Sequence, residues 1–149
     1  MFLKQNALEF DRRNVSRTYL LLDSEAYELG EMRIDAYFSL AIKPLMFDSA
    51  LSKSIIKKID GFSKIAESVG AILIGQLGKC QKRNNAISGN VLLEHAFTQI
   101  HIAFEVVGCR VVFLECCPDN KLVSFYEQNG FSWLQRSENT GFVQMVRFL

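Results

Sequence analysis

One stretch constrains the fold of this chain more than any other. Ala71–Lys79 (AILIGQLGK) reads as a strand, and the polar segment CQKRNNAIS follows it. Gly89–Val107 then carries Val91, Leu92, Ala96, Ile100, Ala103, Phe104 and Val107 at the spacing of one helical stripe. Ser88 stands where a helix cap belongs, and Gly108 where a stop does. Arg110–Cys117 is an apolar strand of the kind covered on both faces. A strand, a helix and a strand in this order predict a right-handed crossover that leaves the two strands parallel.

The flanking segments add antiparallel strands and further helices. Phe2–Arg13 reads as a short amphipathic helix. Arg17–Asp23 (RTYLLLD) is a strand whose apolar run predicts burial on both faces, paired antiparallel with Ile34–Lys43 and ended or edged by Pro44. Residues 48–69 have partial helical spacing, interrupted by Gly61 and scattered serines. Asp119–Asn129 is a short helix closed by Gly130, and Phe131–Gln135 and Phe142–Phe148 are strands joined by the turn-like SENTG. The fold class is therefore α/β (α+β), a mixed sheet with helices on both faces, in one domain spanning 1–149.

Composition narrows the function classes. Of 149 residues, 49% are hydrophobic and 22% charged, which excludes a disordered chain. A formal net charge of +1 argues against a dedicated DNA-binding module. The charge is nonetheless segregated. Residues 43–83 hold eight Lys/Arg against Asp48, Asp60 and Glu67, a local excess of +5 that suits an anionic ligand and equally a solvated face. No export signal and no apolar run near the roughly 20 residues of a membrane span are visible, so the expectation is a cytoplasmic protein with reduced thiols. The four cysteines form neither a CxxC pair nor a Cys/His ligand spacing, and Cys116 and Cys117 read as buried strand residues. His95 and His101 are six apart, off any common helical face, and no metal site follows. Ser39, Ser88 and Ser124 lack a nucleophile elbow, and no P-loop, dinucleotide fingerprint or zinc spacing occurs.

Two features can carry chemistry. The turn from Lys79 to Gly89 leads a strand into a helix, presenting backbone N–H groups and the positive helix end, reinforced by Lys79, Lys82 and Arg83, to an anion such as a pyrophosphate. Gly75 and Gly78 in the preceding strand fit either a bulge that opens backbone to a ligand or close packing against a neighbour. The second feature is Tyr126 within SFYEQNGF. Its ring can be buried while its hydroxyl reaches a cleft as a proton donor, or it can be a plain buried aromatic.

Together these features resemble the GNAT superfamily of N-acetyltransferases over essentially the whole chain. RTYLLLD and IDAYFSLAIK are similar to its first strands, IGQLGK to its cofactor strand and SGNVLLEHAF to the helix after its pyrophosphate loop. VVFLECCPDNKLVSFYEQNGF is similar to the strand, helix and FYxxxGF ending that follow. The layout looks closest to the small acetyltransferases that include toxins acting on aminoacyl-tRNA. The resemblance implies a mostly antiparallel sheet with a splayed central parallel pair. It implies acetyl-CoA as cosubstrate, with pantetheine along Leu77, Gly78 and Lys79 and pyrophosphate on Lys82, Arg83, Asn84, Asn85, Ala86, Ile87, Ser88 and Gly89. Tyr126 would protonate the departing thiolate while a primary amine attacks the thioester, with no metal. The acceptor would be a small-molecule or aminoacyl amine, with nucleic acid involved only if tRNA is the target; exposed aromatics near Phe142 and Phe148 permit a homodimer.

Two positions depart from the family loop, Gln/Arg-x-x-Gly-x-Gly/Ala. Asn84 stands at its first position and Ile87 at its middle glycine, where a branched side chain would narrow the cradle. A non-catalytic binding module that keeps the fold is the alternative reading.

Overall fold

The computed structural model describes residues 2–80 and 87–149. Six strands form one sheet in the order β1 (Arg17–Leu22), β2 (Ile34–Met46), β3 (Ser68–Lys79), β4 (Val111–Cys116), β6 (Val143–Phe148), β5 (Ser132–Arg136). The sheet is mostly antiparallel, and β3 and β4 are its parallel pair, as the crossover rule requires. The helices are α1 (Phe2–Gln5), α2 (Ala7–Arg12), α3 (Ser24–Glu28), α4 (Lys53–Asp60), α5 (Gly89–Val107) and α6 (Asn120–Gln128). The residues cluster into two compact units, Met1–Ala41 with Ile74–Ile100, and Ile42–Leu73 with His101–Leu149.

The first unit is built on the β1–β2 ladder, which runs from Arg17 opposite Leu40 to Leu22 opposite Ile34. Tyr19 faces Phe38 across it, and their rings stack with centroids 4.8 Å apart. Ala36 and Phe38 meet Leu92 and Ala96 of α5, flanked by Tyr19, Leu21, Leu40, Leu77 and Ile87.

The second unit is built on β4, β6 and β5. Along β4, Val111 and Phe113 join Leu45, Ala71, Val146 and Ile59 of α4 in one core. The alternate residues Val112, Leu114 and Cys116 point to the other face and are buried as well. Full burial of both faces is why this strand reads as an unbroken apolar run. Its one exposed member is Glu115.

Several boundaries differ from the sequence reading, each for a local reason. The first helix is two short ones separated at Asn6. The β1 strand is an edge strand rather than doubly covered, with Leu20 43% exposed. Pro44 does not end β2, which continues to Met46. Pairing with β1 stops at Leu40, so beyond that point β2 has no β1 partner and the missing Pro44 N–H breaks no ladder bond on that side. Gly61, read as an interruption, is the left-handed C-cap of α4 at φ 97°, and Ser52 Oγ caps its start by accepting from Ile55 N at 3.3 Å. The α3 turn was not foreseen; Asp23 caps it through Ala26 N at 3.0 Å. On α5 the buried stripe is Leu92, Leu93, Ala96, Phe97 and Ile100, while Val91 and Val107 are exposed. Cys116 is buried as expected, whereas Cys117 is exposed.

Candidate functional site

The first unit carries the described part of the anion-loop candidate. Leu77 packs half-buried on the Ala36–Phe38 core and Lys79 is exposed at the end of β3. The next residue, Cys80, donates its N–H to Asp35 O at 2.7 Å, which fixes the chain as it leaves the strand. A Cβ on Gly78 would stand 2.6 Å from Cε1 and 3.0 Å from Cζ of Tyr37, so close packing against that ring accounts for a glycine there. Gly75 behaves differently. It and Gln76 are two consecutive exposed residues that follow the buried Ala71, Ile72 and Ile74.

Lys82, Arg83, Asn84, Asn85 and Ala86 lie outside the described residues. Beyond them, Ile87 turns its side chain onto the Ala36, Phe38, Leu92 and Ala96 cluster, so the branched residue at the glycine position has a core partner of its own. Ser88 caps α5 as anticipated: its Oγ accepts from Val91 N at 3.2 Å and its carbonyl from Leu92 N at 3.1 Å. Gly89 opens the helix, and no acidic side chain occupies its first turn to oppose an anion.

The second unit carries Tyr126. Asp119 Oδ1 accepts from Lys121 N and Leu122 N, both at 3.0 Å, and so starts α6. The helix closes when Asn129 N and Phe131 N both donate to Tyr126 O at 3.0 Å, with Gly130 at φ 81° making the left-handed turn. This explains the NG spacing after the tyrosine. The ring is 8% exposed and meets Phe125 and Phe131 edge-on at 5.1 and 5.8 Å. Burial, and secondarily the charge that Cys116 can carry, push the Tyr126 hydroxyl up to about 12, so it stays a neutral donor throughout the physiological range. Burial also raises the Cys116 thiol, with a smaller contribution from Cys117.

A polar pocket that sequence reasoning passed over lies in the same unit. It has a volume near 540 Å³, with Leu73 and Phe113 among its apolar lining and Glu115, Gln144 and Gln135 among its polar lining. These three polar residues are directly opposed across β4, β6 and β5: Glu115 faces Gln144, and Gln144 faces Gln135. Gln135 Nε2 donates to Gln144 Oε1 at 2.6 Å, and Gln144 Nε2 donates to Glu115 Oε1 at 2.6 Å. The far end is pinned to the end of β2 and the chain just beyond it, where Gln135 Nε2 also donates to Met46 O at 2.6 Å and Gln135 Oε1 accepts from Asp48 N at 2.9 Å. The available signal was Glu115 itself, one carboxylate inside VVFLECC.

His95 and His101 are both exposed, and no group of three or more metal-ligating side chains occurs among the described residues. No helix among them is long and apolar enough to cross a membrane. The exposed aromatics Phe142 and Phe148 are 39% and 38% accessible.

No protein-family model and no curated protein matches the sequence. Solved structures do match it. AtaT complexed with acetyl-methionyl-tRNAfMet superposes with a TM-score of 0.72 at 23% identity, covering 99% of this chain and 78% of that one. A tyrosine-to-phenylalanine mutant of KacT gives 0.71 at 22% identity over 96% and 78% of the two chains. AtaTR bound with acetyl-CoA gives 0.67 at 23% identity over 96% and 77%. The chain therefore has the fold of AtaT and KacT.

Proposed function

We propose that this protein is an acetyl-CoA-dependent N-acetyltransferase that acts on a primary amine. The observation that carries the reading is Tyr126, a buried phenol on the helix that follows the second strand of the parallel pair. The full-length likeness to AtaT, which has been solved with acetyl-CoA, supports it.

The described residues fit such a cosubstrate. Ser88 leaves α5 with a capped, acid-free N-terminal turn, Lys79 ends β3 with an exposed positive side chain nine residues earlier, and Ile87 has its own core partners. When bound, acetyl-CoA supplies the activated acyl group. Tyr126 then acts as general acid. As the amine nitrogen bonds to the acyl carbon and the C–S bond breaks, the Tyr126 hydroxyl gives its proton to the sulfur; the proton lost by the amine, through solvent, restores the phenol. The upward shift keeps the proton on Tyr126 until the sulfur leaves. A cytoplasmic setting with reduced thiols belongs to this reading.

Isothermal calorimetry with acetyl-CoA and an assay of free thiol released with an amine panel test the proposal. Binding that survives Tyr126→Phe while turnover falls about 10²-fold or more is expected. Absence of any heat and of thermal protection would reject it in favour of a non-catalytic module.

The narrower reading, transfer to the amine of an aminoacyl-tRNA, is supported by the AtaT complex with acetyl-methionyl-tRNAfMet and by the +5 excess over residues 43–83. Growth arrest on expression, with acetylated aminoacyl-tRNA recovered from the cells, is its signature.

A further inference from the structure

We infer that the pocket over Glu115, Gln144 and Gln135 is a recognition subsite for a primary ammonium carried on an apolar body. The inference rests on the amine-transfer reading for its purpose, and on the second unit alone for its geometry.

The row across the three strands has one direction. Asp48 N and the Met46 carbonyl fix both ends of the Gln135 amide, which leaves its Nε2 to donate to Gln144 Oε1. Gln144, only 9% exposed, must then present Nε2 to Glu115 Oε1. The amide orientations are set by the main chain at one end, and a carboxylate is what the other end accommodates. Among the described residues Glu115 Oε2 meets no donor, and Glu115 lines the pocket. An amide row of this kind, anchored on the buried Gln144, holds one oxygen of the exposed Glu115 carboxylate in a fixed place and leaves the other to a ligand.

The chemistry of that ligand follows from what the carboxylate has left. A guanidinium recognises a carboxylate through two parallel bonds to both oxygens, and it would have to share Oε1 with Gln144, which weakens the fork. An ammonium is a point charge that needs only one. An anion is disfavoured, because Asp48, Glu115 and Glu138 outnumber Lys43 and Arg136 around the cavity. The floor provided by Pro44, Met46, Phe47, Leu73 and Phe113 suits an aliphatic or aromatic stem. Gln144 and Gln135 are positioning residues here; Glu115 is the contact.

The probe is n-hexylamine, titrated at pH 7 into the ¹⁵N-labelled full chain without acetyl-CoA, with n-hexanol and n-hexylguanidine as comparisons. The side-chain amide signals of Gln135 and Gln144 should shift, and hexylamine should bind about tenfold more tightly than either comparison compound. Glu115→Gln should abolish that preference. Gln144→Leu, which releases Oε1, should weaken the amine and let the guanidine compete. Should either variant lose its thermal transition, Glu115→Asp, which keeps the charge but withdraws it by one methylene, should fold and lose most of the preference. Equal shifts from hexanol, or a preference for amine that survives in folded Glu115→Gln or Glu115→Asp, would overturn the assignment. Calorimetry with acetyl-CoA on the same sample separates the two claims. Heat with acetyl-CoA but no amine preference refutes the subsite alone; amine preference without acetyl-CoA binding refutes the transfer reading and leaves the subsite standing.

Discussion

Gly78 offers a test of the close packing between β2 and β3 in the first unit. Adding one methyl group there brings it to 2.6 Å from Tyr37 Cε1, 3.0 Å from Cζ and 3.2 Å from Oη. All three contacts are with the outer end of a half-buried ring, so the ring swings away while the backbone holds. Overpacking of this kind costs about 1–3 kcal/mol. Against that, alanine is favoured over glycine within a strand by about 0.5–1 kcal/mol. Gly78→Ala should therefore destabilise the protein modestly, by about 0.5–2 kcal/mol. In a Tyr37→Ala background the clash is gone and the same substitution should stabilise by about 0.5–1 kcal/mol. The coupling between the two positions, about 1–3 kcal/mol, is read from a double-mutant cycle in urea. A kcal/mol corresponds to a midpoint shift of about 2–4 °C for a chain of this size. If Gly78→Ala changes stability equally in both backgrounds, the ring does not explain the glycine and the reasoning fails.

Other consequences can be measured on the same protein. Folded Tyr126 keeps its proton to about 12 while the unfolded phenol releases it near 10, so the unfolded state sheds protons first; stability is full below pH 10 and declines by about 2–3 kcal/mol between pH 10 and 12. Tyr126→Phe should flatten that decline in denaturant melts taken across the range. Ser88→Ala removes the bond to Val91 N and should cost about 1 kcal/mol, with Ser88→Gly costing only a few tenths. Asp119→Ala leaves Lys121 N and Leu122 N without their cap and should cost about 0.5–2 kcal/mol, with amide exchange accelerated first at the start of α6. Ile59→Ala opens a cavity in the core with Leu45 and Val111 and should cost about 2–5 kcal/mol by chemical denaturation.

The parallel pair was legible because α5 combines a polar lead-in, a serine cap and a terminal glycine, three local signals that agree. The FYEQNG segment was legible for the same reason: Asp119 and Gly130 mark the ends of α6 and leave Tyr126 on its buried face. Edges were not. RTYLLLD looks like a central strand, and only the sheet order reveals that β1 is the border and leaves Leu20 accessible. Whether Pro44 ends or merely edges its strand depends on where the β1 ladder stops, a fact of register. The amide row was hidden for a related cause. Glu115, Gln144 and Gln135 are 29 and 9 positions apart in sequence, and only the alignment of three strands makes them neighbours.

Arg110 carries an implication for the order in which the chain is assembled. Its guanidinium lies against Gly61, where a Cβ would meet Nε at 3.0 Å, and its Nη2 donates to the Lys58 carbonyl at 3.3 Å across 52 positions. During synthesis the last turn of α4 therefore leaves the ribosome long before the side chain that holds it. Until then the turn has its glycine cap, the Asp60 carboxylate that accepts from Phe62 N and Ser63 N, and Ile59 against Leu45 and Ala71, but not its Arg110 anchor. A nascent chain halted short of residue 110 should be cut by protease just after α4 faster than the finished protein.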